Sequence, residues 1–134
     1  MDLLFLLGRV LFASAFLVLG AALLATGHRN ASDAVRWGGL GGVLGAAMVG
    51  GSALIATGLL ADLGAILVAV PTAAITSVRH RFWLYSDAAE RQASFTHLIK
   101  NVALVGGAAV LFFAYNQLQG EAPLSLTDPL FGRL

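Results

Sequence analysis

The chain has 134 residues, of which 58% are hydrophobic and 11% charged, with a net charge of +1 and no cysteine. A soluble domain carries charge on roughly a quarter of its residues, and the mean hydropathy here is +0.84. These values exclude a water-soluble globule, a disordered tail, a nucleic-acid binder, a disulfide framework and a thiolate metal or redox site.

A helical span takes about 20 residues, so the length accommodates at most about five and leaves no room for a soluble domain. The first apolar run extends from Leu3 to Thr26 and is interrupted only by Arg9. A secretory signal starts with basic residues and has an apolar stretch of about 7–15 residues. This run follows Asp2 and is longer, so it is expected to stay in the protein as a span over 3–26. Residues 27–37 form a polar loop with His28, Arg29, Asn30, Ser32, Asp33 and Arg36. Asn30-Ala31-Ser32 fits a glycosylation sequon, a triplet common by chance. Residues 38–60 make an uncharged second span, Asp62 and Gly64 mark a tight turn, and 63–78 make a short third span holding Pro71. Residues 79–97 are the longest polar loop. A fourth span covers 98–118 with Lys100 near its start, and the tail 119–134, with Pro123 and Pro129, reads as a loose extension or surface segment.

Each span must be helical, because lipid offers no partner to an unpaired backbone group. Strands of a barrel alternate over about ten residues, and these runs are continuously apolar. The expected architecture is all-α: a single transmembrane domain, an integral membrane four-helix bundle of two helical hairpins. Four spans put both termini and the Asp62 turn on one side. That side carries Arg9 and Arg133; the other carries Arg29, Arg36, Arg79, Arg81, Arg91 and Lys100. The positive-inside rule then places loops 27–37 and 79–97 in the cytoplasm and both termini outside.

Lipid tails are as apolar as leucine, so helices associate through small residues that let backbones approach. The second span is dense in them, with Gly38/Gly42 and Gly41/Gly45 as GxxxG pairs and further glycines at 50, 51 and 58. Ala65, Ala69 and Ala73 continue the pattern in the third span, Ala103 and Gly107 in the fourth. Because three spans share the feature, packing within one bundle accounts for it better than a dimer face or a ligand crevice. Pro71 frees the carbonyl of Leu67, and Thr72 or Thr76 is placed to satisfy it.

Arg9 is the cation set well inside a span. A charge at mid-membrane costs roughly 2.5–3.5 kcal/mol on insertion scales, so it is expected to pair with Asp62 or Glu121, to reach the nearby surface, or to bind a ligand directly. At the other side, Arg79-His80-Arg81 is followed by Phe82-Trp83-Leu84-Tyr85, whose amphipathic rings suit the headgroup layer. Asp87-Ala88-Ala89-Glu90 reads as a helix start, and a short interfacial helix is expected to lead into the last span. His28, His80 and His97 share that side, but no HxxxH or HExxH spacing supports a metal site, and interfacial hydrogen bonding explains them more simply. Haem ligation by His80 and His97 has no further motif behind it. Neither a catalytic constellation nor a phosphate-binding loop stands out, and no cofactor is predicted from the residues.

Several segments together resemble the DoxX family of small prokaryotic membrane proteins. They are Gly8-Arg9-Val10-Leu11-Phe12 with Gly20, then Thr57-Gly58-Leu59-Leu60, then His80-Arg81-Phe82-Trp83, then Lys100-Asn101-Val102-Ala103-Leu104-Val105-Gly106-Gly107. The last two are similar to the family's HxFW segment followed by KNxALxGG. Where relatives often carry a lysine late in the first span this chain has Gly20-Ala21-Ala22-Leu23-Leu24, and Asp62 stands where a basic residue often follows the second span. The resemblance implies a four-helix bundle, an association with membrane redox systems, and a quinone as the cofactor to consider. The positions that match the motif are Arg9, His80, Phe82, Trp83, Lys100 and Asn101. Three functions are weighed on this basis. The first is an accessory subunit holding a redox or other enzyme complex at the bilayer through its cytoplasmic loops, with other membrane or membrane-associated proteins as partners. The second is an oligomeric carrier of a small molecule or lipid. The third is a quinone-handling membrane oxidoreductase subunit with His80, Trp83, Lys100 and Asn101 near the head group.

Overall fold

A computed structural model describes residues 2–27, 40–79, 82–118, 122 and 124–131. Four α-helices account for most of them: α1 (Asp2–Gly27), α2 (Leu40–Thr57), α3 (Ala61–Arg79) and α4 (Ala88–Leu118), with a 3-10 turn at Phe82–Leu84. All four are long and apolar enough to cross a membrane, and no strand occurs among the described residues. The protein is a multi-pass membrane protein with a helical-bundle architecture.

The helices pack in chain order, each against the next, and glycine pairs set the approach. A Cβ on Gly20 of α1 would lie 2.9 Å from the Gly45 carbonyl of α2, and one on Gly45 would lie 3.0 Å from the Gly20 carbonyl. Gly51 of α2 and Gly64 of α3 repeat the arrangement at 2.8 Å in both directions. Backbone against backbone at this range leaves no space for any side chain, and the gain is dispersion contact along two helices. α4 meets α1 differently. Gly107 takes the edge of the Phe12 ring, which a Cβ there would approach to 2.8 Å, and Phe5 lies 6.0 Å from Tyr115, ring to ring. Phe16, Ile55 and Val68 are fully enclosed, with Ala13, Met48 and Ala108 around them. Leu4, Val18, Val43, Val70, Val110 and Phe113 point outward. In water that surface is an aggregation liability; in a bilayer it is the solvated face.

Several expectations change here. Gly45 and Gly107 pack as the small-residue pattern suggests and Gly41 is buried, but Gly42 has open space where a Cβ would stand and Ala103 is exposed. Neither of these two contributes to packing within the chain; Gly38 lies outside the described residues. The turn between α2 and α3 falls at Gly58–Leu60 rather than at Asp62 and Gly64. Gly58 ends α2 with a φ of 72°, the left-handed conformation that closes many helices, and the Gly64 amide donating to Leu60 O at 3.0 Å opens α3. Pro71 is accepted inside α3, yet the threonine hydroxyls do not go to Leu67. Thr72 donates to Val68 O and Thr76 to Thr72 O, each at 2.6 Å.

The last helix also begins earlier than the apolar run. Asp87 Oδ2 accepts the Glu90 amide at 2.9 Å, the N-cap geometry, and α4 then runs unbroken for 31 residues. The interfacial helix and the span are therefore one element. At 1.5 Å per residue it is about 46 Å long, well beyond a hydrocarbon layer of about 30 Å.

A capped polar end as the candidate functional site

The two charged side chains buried among the described residues, Arg9 and Asp62, lie at the end where α1 starts and α4 finishes. Arg9 is 3% exposed and Asp62 is fully enclosed. The Arg9 guanidinium donates from Nη1 to the Tyr115 hydroxyl at 2.9 Å and to Ser125 Oγ at 3.1 Å, and from Nη2 to the Leu124 carbonyl at 2.9 Å. Asp62 Oδ2 accepts the Phe131 amide at 2.7 Å. The two side chains form no ion pair with one another, and neither reaches the surface. Two readings of Arg9 drawn from the sequence, an Asp62 partner and a snorkelling side chain, are thereby corrected; Glu121 lies outside the described residues. The physical reason is that neutral oxygens from α4 and the tail already hold the cation. Bonds to an ionised donor are about twice as strong as neutral ones, so three of them offset much of the cost of burying the charge.

The described part of the tail is a surface segment and not a loose extension. Residues 124–131 fold back across the end of the bundle. Thr127 donates its amide to the Gly58 carbonyl at 3.4 Å, and its hydroxyl oxygen accepts the Leu60 amide at 2.9 Å. Gly58 is required at this point for space as well as for its φ, since a Cβ would stand 2.7 Å from Arg9 Nη1 and 2.7 Å from Ser125 Cα. Leu124 and Leu60 take left-handed φ values of 55° and 47°, a strained choice for residues other than glycine. Ala61, Tyr115 and Ala122 form a small buried apolar cluster beside the polar groups. Among the described residues four polar side-chain atoms are buried without a hydrogen-bond partner: Arg9 Nε and Asp62 Oδ1 at this end, Asn116 Oδ1 on the residue after Tyr115, and Ser94 Oγ near the start of α4.

The remaining candidates sit elsewhere. Asn101 lies 14 residues before Tyr115 on α4, about 21 Å along the helix. Its amide donates to Thr76 Oγ1 at 2.9 Å, tying α4 to α3. It also lines a shallow groove of about 190 Å³ with Thr76, Ser77 and Val105. Lys100 is exposed. Trp83 is exposed on the 3-10 turn, edge-on to Phe82, which also meets Phe95 of α4. Arg79 ends α3; its side chain, His80 and Arg81 lie outside the described residues. Trp83, Lys100 and Asn101 thus share an end of the bundle but do not converge on one pocket, and Arg9 is at the opposite end. Among the described residues no three histidine or acidic side chains group as metal ligands do.

Tyr115, Leu124, Ser125 and Phe131 are the members of the polar end that sequence reasoning missed. Two of the contacts are backbone groups and leave no trace in residue type. Tyr115 carried a signal, as the phenol of the last span at the same level as Arg9. Comparison of the chain with protein-family models, with curated proteins and with solved structures finds no match.

Proposed function

We propose that the protein is a DoxX-like accessory subunit that holds a membrane-associated redox complex at a prokaryotic cell membrane. Loops 27–37 and 79–97 face the cytoplasm in this reading and both termini lie outside, following the distribution of basic residues. The observation that carries the proposal is the projecting start of α4. Its first ten residues extend past the apolar run and expose Glu90, Arg91, Gln92 and Phe95 beside the exposed Trp83. Aromatic and arginine side chains in one patch are the usual composition of a protein–protein contact. At the other end Arg9 and Asp62 hydrogen-bond within the chain, and the described residues there assemble no catalytic constellation. The groove beside Asn101 holds about 190 Å³, less than the roughly 300 Å³ at which small-molecule pockets begin, which speaks against a carrier or a quinone site there.

The test is extraction of the tagged protein from its native membrane in mild detergent, followed by mass spectrometry and a visible spectrum of the eluate. A stoichiometric redox partner that is lost in a Trp83→Ala/Phe95→Ala variant with unchanged helicity is the expected result. An eluate holding this chain alone after gentle extraction would overturn the proposal.

A further inference from the structure

We infer that the polar end is a binding site for a phospholipid head group bearing a phosphate and an amine with N–H donors, and that residues 124–131 occupy this site as an internal substitute. The inference rests on the membrane-spanning fold and not on the accessory-subunit reading.

Three observations carry it. The first is the pattern of oxygens on Arg9. Leu124 O and Ser125 Oγ, from adjacent residues, sit one on each terminal nitrogen of the guanidinium. Two oxygens placed on the guanidinium fork are what a carboxylate or phosphate presents. The imitation is incomplete, because Arg9 Nε is left buried with no acceptor, and among the described residues the Tyr115 hydroxyl proton has none either. A phosphate has lone pairs for both.

The second is the matching state of Asp62. One oxygen holds the Phe131 amide and the other is buried with no donor. Asp62 opens the first turn of α3 just after the Gly58 turn that touches Arg9. A cation with neutral acceptors and an anion with one neutral donor therefore lie at one end without meeting. A simple anion answers only Arg9. An ammonium beside a phosphate answers both, with its N–H groups on Asp62.

The third is the tail's placement and strain. Arg9 lies seven residues into α1, about 10 Å from its start, near the depth where hydrocarbon gives way to head groups. Ser125 and the Leu124 carbonyl face Arg9 while Leu124, Leu126 and Leu130 stand 56%, 71% and 56% exposed, as the chains of a lipid would lie outward from its head. Leu124 presents its carbonyl to Arg9 from a left-handed φ of 55°, so a ligand that releases it also relieves strain.

The experiment is native mass spectrometry of the purified full chain, delipidated and then offered phosphatidylethanolamine, phosphatidylcholine and phosphatidylglycerol with identical acyl chains. The expected result is retention of phosphatidylethanolamine about tenfold above phosphatidylcholine, whose quaternary nitrogen has no N–H, one charge-assisted hydrogen bond being worth at least such a factor. Arg9→Gln is expected to abolish retention, and Asp62→Asn to remove the discrimination between the two lipids. Should either variant fail to fold, Ser125→Ala/Thr127→Ala decides instead: it loosens the tail on the outside of the bundle and is expected to raise phosphatidylethanolamine retention several-fold. Retention of all three lipids alike, a preference for phosphatidylglycerol, or no gain on loosening the tail would overturn the inference.

Discussion

Gly58→Ala is the substitution that probes the capped end most sharply. An alanine at a φ of 72° occupies the left-handed region at a cost of about 1–2 kcal/mol. Its Cβ would also stand 2.7 Å from Ser125 Cα and 2.7 Å from Arg9 Nη1. A backbone atom cannot rotate away, so the tail must lift. Losing even one of the two bonds it gives Arg9 costs about 1.5–3 kcal/mol, as for other hydrogen bonds to charged groups. The sum is a destabilisation of roughly 2.5–5 kcal/mol. Gly42→Ala is the control: Gly42 is helical with open space around it, so alanine is expected to be neutral or to gain up to about 1 kcal/mol. Reversible unfolding in mixed detergent–SDS micelles, followed by circular dichroism, measures both. A Gly58→Ala protein within about 0.5 kcal/mol of the parent, a margin typical of surface changes, would refute the reasoning. Equal losses at Gly42 and Gly58 would refute it too.

Other outcomes follow from the same contacts. Gly51→Ala drives a Cβ to 2.8 Å from both Gly64 O and Leu67 Cβ, and the overpacking is expected to cost about 1–3 kcal/mol in the same assay. Tyr115→Phe keeps the ring beside Phe5 but removes an acceptor from Arg9; a loss of about 1.5–3 kcal/mol is expected, and an unchanged midpoint would show that this bond carries no weight. A double-mutant cycle of Thr76→Val and Asn101→Ala isolates the 2.9 Å bond between α3 and α4, with an expected coupling of about 0.6 kcal/mol, the average for such bonds between membrane helices. Asp87→Ala removes the cap of α4 at a cost of about 1 kcal/mol, and hydrogen exchange at the Glu90 amide should quicken while the amides near Ala108 keep their protection.

The sequence made the four helices legible because lipid leaves a continuously apolar run only one way to satisfy its backbone. It made Gly45 and Gly107 legible because close approach needs small residues. It did not separate Gly45 from Gly42, since the same GxxxG spacing faces a neighbour in one place and open space in the other. Gly64 read as a turn residue and is instead a packing residue against Gly51. The start of α4 was legible in Asp87-Ala88-Ala89-Glu90, but its continuity with the last span was not: residues 88–97 are mostly polar, and polarity tracks the membrane boundary rather than the end of a helix. Arg9 and Asp62 were rightly set at one end by topology alone, but opposite charges suggest pairing, whereas their observed partners are a phenol, a serine, a carbonyl and an amide. Backbone groups of a folded-back tail have no signature in composition, which is also why that tail read as loose.

The claim on which the rest depends is that the tail closes over the Arg9 end. The chain has no cysteine, so a pair can be introduced without background. Leu59 lies between the two residues that hydrogen-bond Thr127. Leu59→Cys with Thr127→Cys, treated in membranes with a short bismaleimide, is expected to give one intramolecular cross-linked species in high yield. A pair that stays as unlinked as a Leu59→Cys/Trp83→Cys control, whose residues lie at opposite ends of α3, would contradict the account.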